Sequence, residues 1–473
     1  MVFFHISRVR FFCFMLVFCQ TLFLLVSCKS LKNRNRKETI NEGGAKGGIQ
    51  VFERRAEDPG VLAENPAGGS PDGDVSSGSG AGETEEPQQT ESKKKAIPED
   101  VRLEQEQARF WQSRMVPENQ PRCQEHPYWK WAEGRCLRKT FLDFCEEGVA
   151  AAFSERLLVS LLLRSGESCP IAWKRLRTLT SLNLSGQKLE GVAALGGLLS
   201  LETLNLSRNL IQDISPLSQF SALTELFLDE NRLDSLLGLE SLERLQTLYI
   251  SYNQKIASLY PLKSLRQLRT LYAAFTTATD AFALADLKEL EALNLSGNLM
   301  SDPEPLRELT GLERLYLDGN QIESVVHLSN LKDLRRLSLS KNKVIDLSPL
   351  AAMRQLSWLN ISDNQIRDLE ALRGGNLLSS VTLSDNQIRD LSPLETHSSL
   401  EEIIADNNPV DDIEALARLT QLRSVSLKNC KVRYFEPLAN CPALEYVDVR
   451  GCEGKIREAD IFPGRDFLMT IRQ

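Results

Sequence analysis

Two stretches decide how this chain is to be read: "LETLNLSRNLIQDISPL" at Leu201–Leu217 and "LSSVTLSDNQIRDLSPL" at Leu378–Leu394. They share one skeleton, L-x-x-L-x-L-x-x-N followed by a second apolar run that ends in Pro-Leu. Slid along the chain, the frame starts at 179, 201, 223, 245, 268, 290, 312, 334, 356, 378, 400, 422 and 444. Every step is 22 residues except 245 to 268, where "NQKIASLYPL" carries one more. Thirteen units at one period specify a solenoid, because no single unit can bury its own apolar face.

Each position has a physical role. Period-two leucines aim one edge of a short strand into a core. The Asn that follows has an amide able to satisfy backbone groups of neighbouring turns. It is present from Asn209 to Asn408 and replaced only by Gln187, Thr276, Cys430 and Cys452. Pro216, Pro261, Pro305, Pro349, Pro393 and Pro437 each precede a Leu, which suits the first position of a short helical turn. Stacked units then give a parallel sheet on one side and a leucine core behind it.

On these motifs the region 176–455 resembles the leucine-rich repeats of bacterial internalins. The resemblance implies an α/β solenoid: an arc with a parallel concave sheet and short helical or 3-10 convex turns, binding other proteins on its concave face. It departs from internalins in anchoring, with no wall-sorting signal at the C-terminus. Arg8 and Arg10 precede the apolar "FFCFMLVFCQTLFLLVS", as in an export signal, with a membrane anchor of near-minimal length as the alternative. "LVSC" at Leu25–Cys28 resembles the bacterial lipoprotein signal. That implies a signal peptide over 1–27, lipid on Cys28 and a site in the bacterial cell envelope.

Residues 28–100 are Gly, Ser, Pro, Glu and Lys with few large apolar groups, a composition that makes a tether rather than a fold. From 101 to 175 the aromatic and leucine-rich pattern predicts a helical N-terminal cap containing Cys123, Cys136, Cys145 and Cys169. In an exported chain four cysteines suggest two disulfides, with three connectivities open. Cys430 and Cys452 stand in adjacent Asn positions, either as buried thiols or as a bridge. Cys441 aligns with the core position of Phe220. The segment 456–473 is expected to cover the last unit.

The net charge of −8, without a sustained basic run, argues against nucleic acid as partner. His5, His126, His327 and His397 are scattered, and repeat geometry assembles no nucleophile–base–orienter set, so no catalytic residue, metal or cofactor is expected. The concave columns are where the array is individual. Phe227, Tyr249 and Tyr272 occupy the central strand position on consecutive units, with Tyr316 two further on. Tyr252 and Phe275 precede the Asn position on two of the same units, and Trp358 lies in the first outward column. Glu225, Asp229 and Glu230 flank this set on one side; Arg314, Arg336 and Lys341 flank it on the other. Aromatic cross-strand pairing alone would contribute roughly 0.2–1 kcal/mol per pair. A cluster of rigid amphipathic rings is also what a binding hot spot requires. The expectation is a membrane-anchored, monomeric array that captures a protein or peptide. An envelope scaffold and a glycan-binding adhesin are the alternatives. One unit, "LRTLYAAFTTATDAFALADLKEL" at Leu268–Leu290, keeps the spacing but loses the letters: Ala273 replaces Leu and Thr276 replaces Asn in the middle of the aromatic patch.

Overall fold

A computed structural model describes residues 129–132, 135–148, 153–279, 281–374, 377–456 and 470–472. The signal, Cys28, the tether and Cys123 lie outside these. The cap opens with an antiparallel hairpin, β1 (Trp129–Ala132) and β2 (Arg135–Arg138), followed by helices α1 (Phe141–Glu147), α2 (Phe153–Leu162) and α3 (Cys169–Leu176). The cap thus has helices, as expected, and in addition a hairpin that carries Cys136. A disulfide joins Cys145 in α1 to Cys169 in α3. Backbone Thr140 donates to Asp143 at 2.6 Å, fixing the start of α1.

Three contacts seat the cap on the first repeat. Phe141 N donates to Gly196 O at 2.8 Å. The carboxylate of Glu155, buried in α2, accepts from Ala194 N at 2.7 Å, and burial raises its carboxyl above the ordinary range. Gly197, at φ 81°, lies so close under Trp173 that a Cβ there would come 2.6 Å from the ring.

Behind the cap the strands run β3 (Ser181–Asn183), β4 (Thr203–Asn205), β5 (Glu225–Phe227), β6 (Thr247–Tyr249), β7 (Thr270–Tyr272), β8 (Ala292–Asn294), β9 (Arg314–Tyr316) and β10 (Arg336–Ser338). They continue as β11 (Trp358–Asn360), β12 (Ser380–Thr382), β13 (Glu402–Ile404), β14 (Ser424–Ser426) and β15 (Tyr446–Asp448). All pair in parallel and in chain order. β16 (Thr470–Arg472) adds a fourteenth strand beside β15 and so extends the sheet past the last repeat. The convex side is built of 3-10 turns such as Ser215–Gln219, Tyr260–Ser264 and Ser392–Thr396, each with its proline in the first positions. Leucines of every unit, from Leu182 to Leu438, form one continuous buried core between sheet and turns.

The Asn ladder supplies the polar interior. Asn386 shows the pattern: its Nδ2 donates to Ile361 O one rung back and to Leu383 O in its own rung, each at 2.9 Å. Its Oδ1 accepts from Ile366 N at 3.0 Å. Each amide thus ties two units through groups that would otherwise be buried without partners. Cys430 and Cys452 are free and take over the first of these bonds: Sγ of Cys430 donates to Ala405 O at 3.3 Å, and Sγ of Cys452 to Leu427 O at 3.0 Å. The Cys430–Cys452 bridge is accordingly not formed. Burial pushes the Cys430 thiol up to about 12.

The irregular unit is explained by the same ladder. Thr276 has no amide oxygen to accept the amide of Ile256, as Asn253 accepts that of Leu233 at 3.1 Å. The extra residue after Asn253 lets Ile256 N turn back to Asn253 O at 3.1 Å instead. On the other side, Asn298 Oδ1 accepts both the backbone N and the hydroxyl of Thr276, at 3.1 and 2.6 Å. Insertion and substitution are two halves of one compensation. Pairing continues undisturbed, Leu248 opposite Leu271 and Tyr249 opposite Tyr272.

Candidate functional site

The concave face is set by a second hydrogen-bond rule. In four units the concave residue that ends the strand is Asn (Asn183, Asn205, Asn294 and Asn360), whose Oδ1 accepts the N–H two residues on, as Asn205 does from Ser207 at 3.0 Å and Asn294 from Ser296 at 2.9 Å. An aromatic ring at that position removes the acceptor. The preceding rung then supplies one: Asp229 Oδ1 accepts Ser251 N at 2.8 Å in the Tyr249 unit, and Ser251 Oγ accepts Ala274 N at 3.2 Å in the Tyr272 unit. Ser296 Oγ accepts Asp318 N at 3.3 Å in the Tyr316 unit. Sequence reasoning missed this supporting role of Asp229, Ser251 and Ser296. Its signal was the loss of Asn from the central column, which leaves an amide needing a partner.

These acceptors hold the rings in two groups. Phe227 and Tyr249 have centroids 5.1 Å apart, and Tyr249 and Tyr272 4.6 Å, making one continuous trio across β5–β7. Tyr252 and Phe275 stack at 4.8 Å beyond the strand ends of the same units. Further along, Tyr316 and Trp358 approach to 6.4 Å although a whole rung separates them. Ser338, on the rung between them, is only 1 % exposed. The single patch expected from the sequence is thus a trio, a stacked pair and a separate couple. The central column is half-buried by its own neighbours rather than open to solvent, and Ser338, Ser426 and Asp448 in it are buried.

The residue before the Asn position adopts the left-handed conformation in every unit. Gly186, Gly297, Gly319 and Gly451 do so at no steric cost, and Asp363, Asp385, Asn407 and Asn429 are types that tolerate it. Arg208, Glu230, Lys341, Tyr252 (φ 61°) and Phe275 (φ 53°) are not, and of these only Tyr252 and Phe275 are aromatic. A bulky residue there costs about 1–2 kcal/mol, and such strain collects at ligand-binding places. Tyr252 is nevertheless 48 % exposed. The Phe275 ring covers Gly297, where a Cβ would meet it at 2.4 Å.

Charge varies along the face. Burial pushes the Asp229 carboxyl up to about 6, and the neighbouring Glu230 carboxylate adds to this. Burial likewise raises the phenols of Tyr249, Tyr252 and Tyr272 above their ordinary value. At the other end Arg450 grips Asp448 at 2.7 Å and holds its carboxyl below the usual range, while Lys428 pairs with Asp406 at 2.7 Å.

Known proteins agree with this architecture. A leucine-rich repeat family model matches residues 177–233, and a two-copy leucine-rich repeat model matches 310–352. An internalin (inlF) from Listeria monocytogenes is 28 % identical with a TM-score of 0.62, over 68 % of this chain and 94 % of that one. A leucine-rich repeat protein from Leptospira interrogans, 20 % identical, superposes with a TM-score of 0.57 over 71 % of this chain and 100 % of that one. No curated protein matches the sequence. The chain is a leucine-rich repeat solenoid similar to internalin-type arrays, a fold that serves as a binding scaffold.

Proposed function

We propose that this protein captures a protein or peptide partner on the concave face of β5–β9, and that lipid on Cys28 anchors it in the bacterial cell envelope. The observation that carries the capture reading is the Tyr252–Phe275 stack. Two large rings stack on adjacent units in a backbone conformation that the other units give to Gly, Asp and Asn or, at Arg208, Glu230 and Lys341, to flexible charged side chains, and one ring remains exposed. Folding alone gains little from that choice, whereas a ligand gains rigid aromatic area beside the Phe227–Tyr249–Tyr272 trio. Tyr316 and Trp358 extend the same surface.

Selection of a displayed peptide library against the protein, followed by affinity measurement with Tyr252→Gly/Phe275→Gly, tests the capture. A loss of at least about tenfold with unchanged melting is expected, the size of a hot-spot truncation. Unchanged affinity sinks it, and glycan binding in place of peptide binding would favour the adhesin reading. Anchoring is checked by Cys28→Ala, which should move the protein from the membrane fraction to the soluble one.

A further inference from the structure

Several charges along the concave face and its edges are held in ion pairs. Arg269 meets Glu291 at 2.5 Å, Arg335 meets Glu313 at 3.7 Å and Arg423 meets Glu445 at 2.7 Å, all along the column that precedes the strands. Arg208 pairs with Glu230 at 3.0 Å. Toward the end of the array Lys428 and Arg450 have Asp406 and Asp448.

Arg314 and Arg336, like Lys341 nearby, are in no such pair among the described residues. They are register partners on β9 and β10, so two like charges stand side by side about 4.8 Å apart along the sheet. Like charges directly opposite destabilise a sheet. Both side chains are exposed, and among the described residues neither has a carboxylate within ion-pair distance. Trp358 follows them in the same column on β11, and Tyr316 shares a strand with Arg314. Tyr272 feels both guanidinium charges, which lower a phenol that burial raises, so the pair also faces the trio.

We propose that Arg314 and Arg336 form an anion subsite that takes a carboxylate side chain, Asp or Glu, of an extended acidic–aromatic segment of the partner protein. The proposal rests on the capture reading above and names the chemistry of its ligand. Two guanidinium forks on neighbouring strands offer paired donors to one planar carboxylate or to two successive ones. The rings on either side exclude water from those bonds, and the acidic Glu225, Asp229 and Glu230 at the opposite end set the direction of the segment.

The test uses peptides selected from a displayed library on the intact protein, resynthesised with blocked termini, each with a twin in which every Asp and Glu is replaced by Asn and Gln. The acidic peptide should bind the wild type about tenfold more tightly than its twin, as expected for charge-assisted hydrogen bonds. In Arg314→Gln/Arg336→Gln, two exposed changes that relieve a like-charge contact and should not lower melting, that preference should fall to about twofold or less. A preference that survives the double substitution, or its absence in the wild type, overturns the subsite. If Tyr252→Gly/Phe275→Gly still weakens both twins, capture stands and only this inference falls. If those changes do nothing, the capture reading itself falls. Selection of no peptide, with a sulfated oligosaccharide such as a heparin fragment bound through the two arginines, overturns the carboxylate proposal in favour of a glycan.

Discussion

The units of β5–β7 and those of β13–β15 are built on one frame and present opposite faces. In the first group the central column is Phe227, Tyr249 and Tyr272, and Asp229 beneath it is pushed up to about 6 by burial. In the second the column is Ile404, Ser426 and Asp448, closed by the Lys428–Asp406 and Arg450–Asp448 pairs. The left-handed position holds Tyr252 and Phe275 in one group, Asn407 and Asn429 in the other. Asn407 donates to Asp385 at 2.8 Å and Asn429 to Asn407 at 2.7 Å, so the second group satisfies itself along the column. A face that completes its own polar bonds has little left to offer, whereas one that strains to display rings does.

The largest expected effect contrasts a regular rung with the irregular one. Asn386→Ala strips buried partners from Ile361 O, Leu383 O and Ile366 N, and should cost about 3 kcal/mol in denaturant unfolding at 1–3 kcal/mol for each orphaned group. The irregular rung should show coupling instead. Deleting Lys255 alone should cost about 2 kcal/mol, because Ile256 N loses its turn back to Asn253 O and finds only Thr276. Adding Thr276→Asn restores the regular ladder and should recover at least about 1 kcal/mol, a coupling read from the double-mutant cycle. Strictly additive costs would break the compensation argued for Asn253–Thr276.

Next in size is the pH contrast between the two groups. The folded protein binds a proton at Asp229 more readily than the unfolded chain, whose carboxyl titrates near 4. This contribution is therefore fully present below about pH 4 and is lost as pH rises through about 6. Asp448 is held low, so its contribution is present above about pH 4 and is lost as pH falls through its folded value. Asp229→Asn keeps an oxygen for Ser251 N and should flatten the pH 4–6 slope, gaining about 1 kcal/mol at pH 7 after allowing for solvent screening. An unchanged slope would remove the burial argument.

The smallest stability effect belongs to the stacked pair. Tyr252→Gly or Phe275→Gly relieves about 1–2 kcal/mol of left-handed strain while giving up about 0.5–1.5 kcal/mol of ring stacking. Melting should thus shift very little, even as capture is lost. A large destabilisation would show that the rings serve the fold.

Much of this was legible in the residues because the repeat writes its geometry into its spacing. Leu204, Leu226 and Leu248 face the core since they alternate, and Asn386 lies in the ladder since it follows the strand. Proline marks the convex turns. Tyr249 and Tyr272 could be placed on the concave sheet before their neighbours were known. The burial of Ser338 was not legible, because it depends on how Tyr316 and Trp358 on the two adjacent rungs approach each other. Nor was the β1–β2 hairpin, whose residues carry no repeat, or the strand at Thr470–Arg472, which pairs with β15 without any of the frame's leucines.

The sequence by itself determined the solenoid, its period, which residues point inward, and the position of its one irregular unit. These follow from local alternation, which repeats identically wherever the chain goes. The tertiary structure alone decided which side chain answers each polar group across the 20 to 25 residues between rungs: Asp229 for the amide of Ser251, the free thiol of Cys430 for a missing amide and, among the described residues, no carboxylate for Arg314 and Arg336. Such partnerships depend on where two separate turns of the chain come to rest against each other, and a periodic pattern, being the same in every unit, cannot distinguish between them.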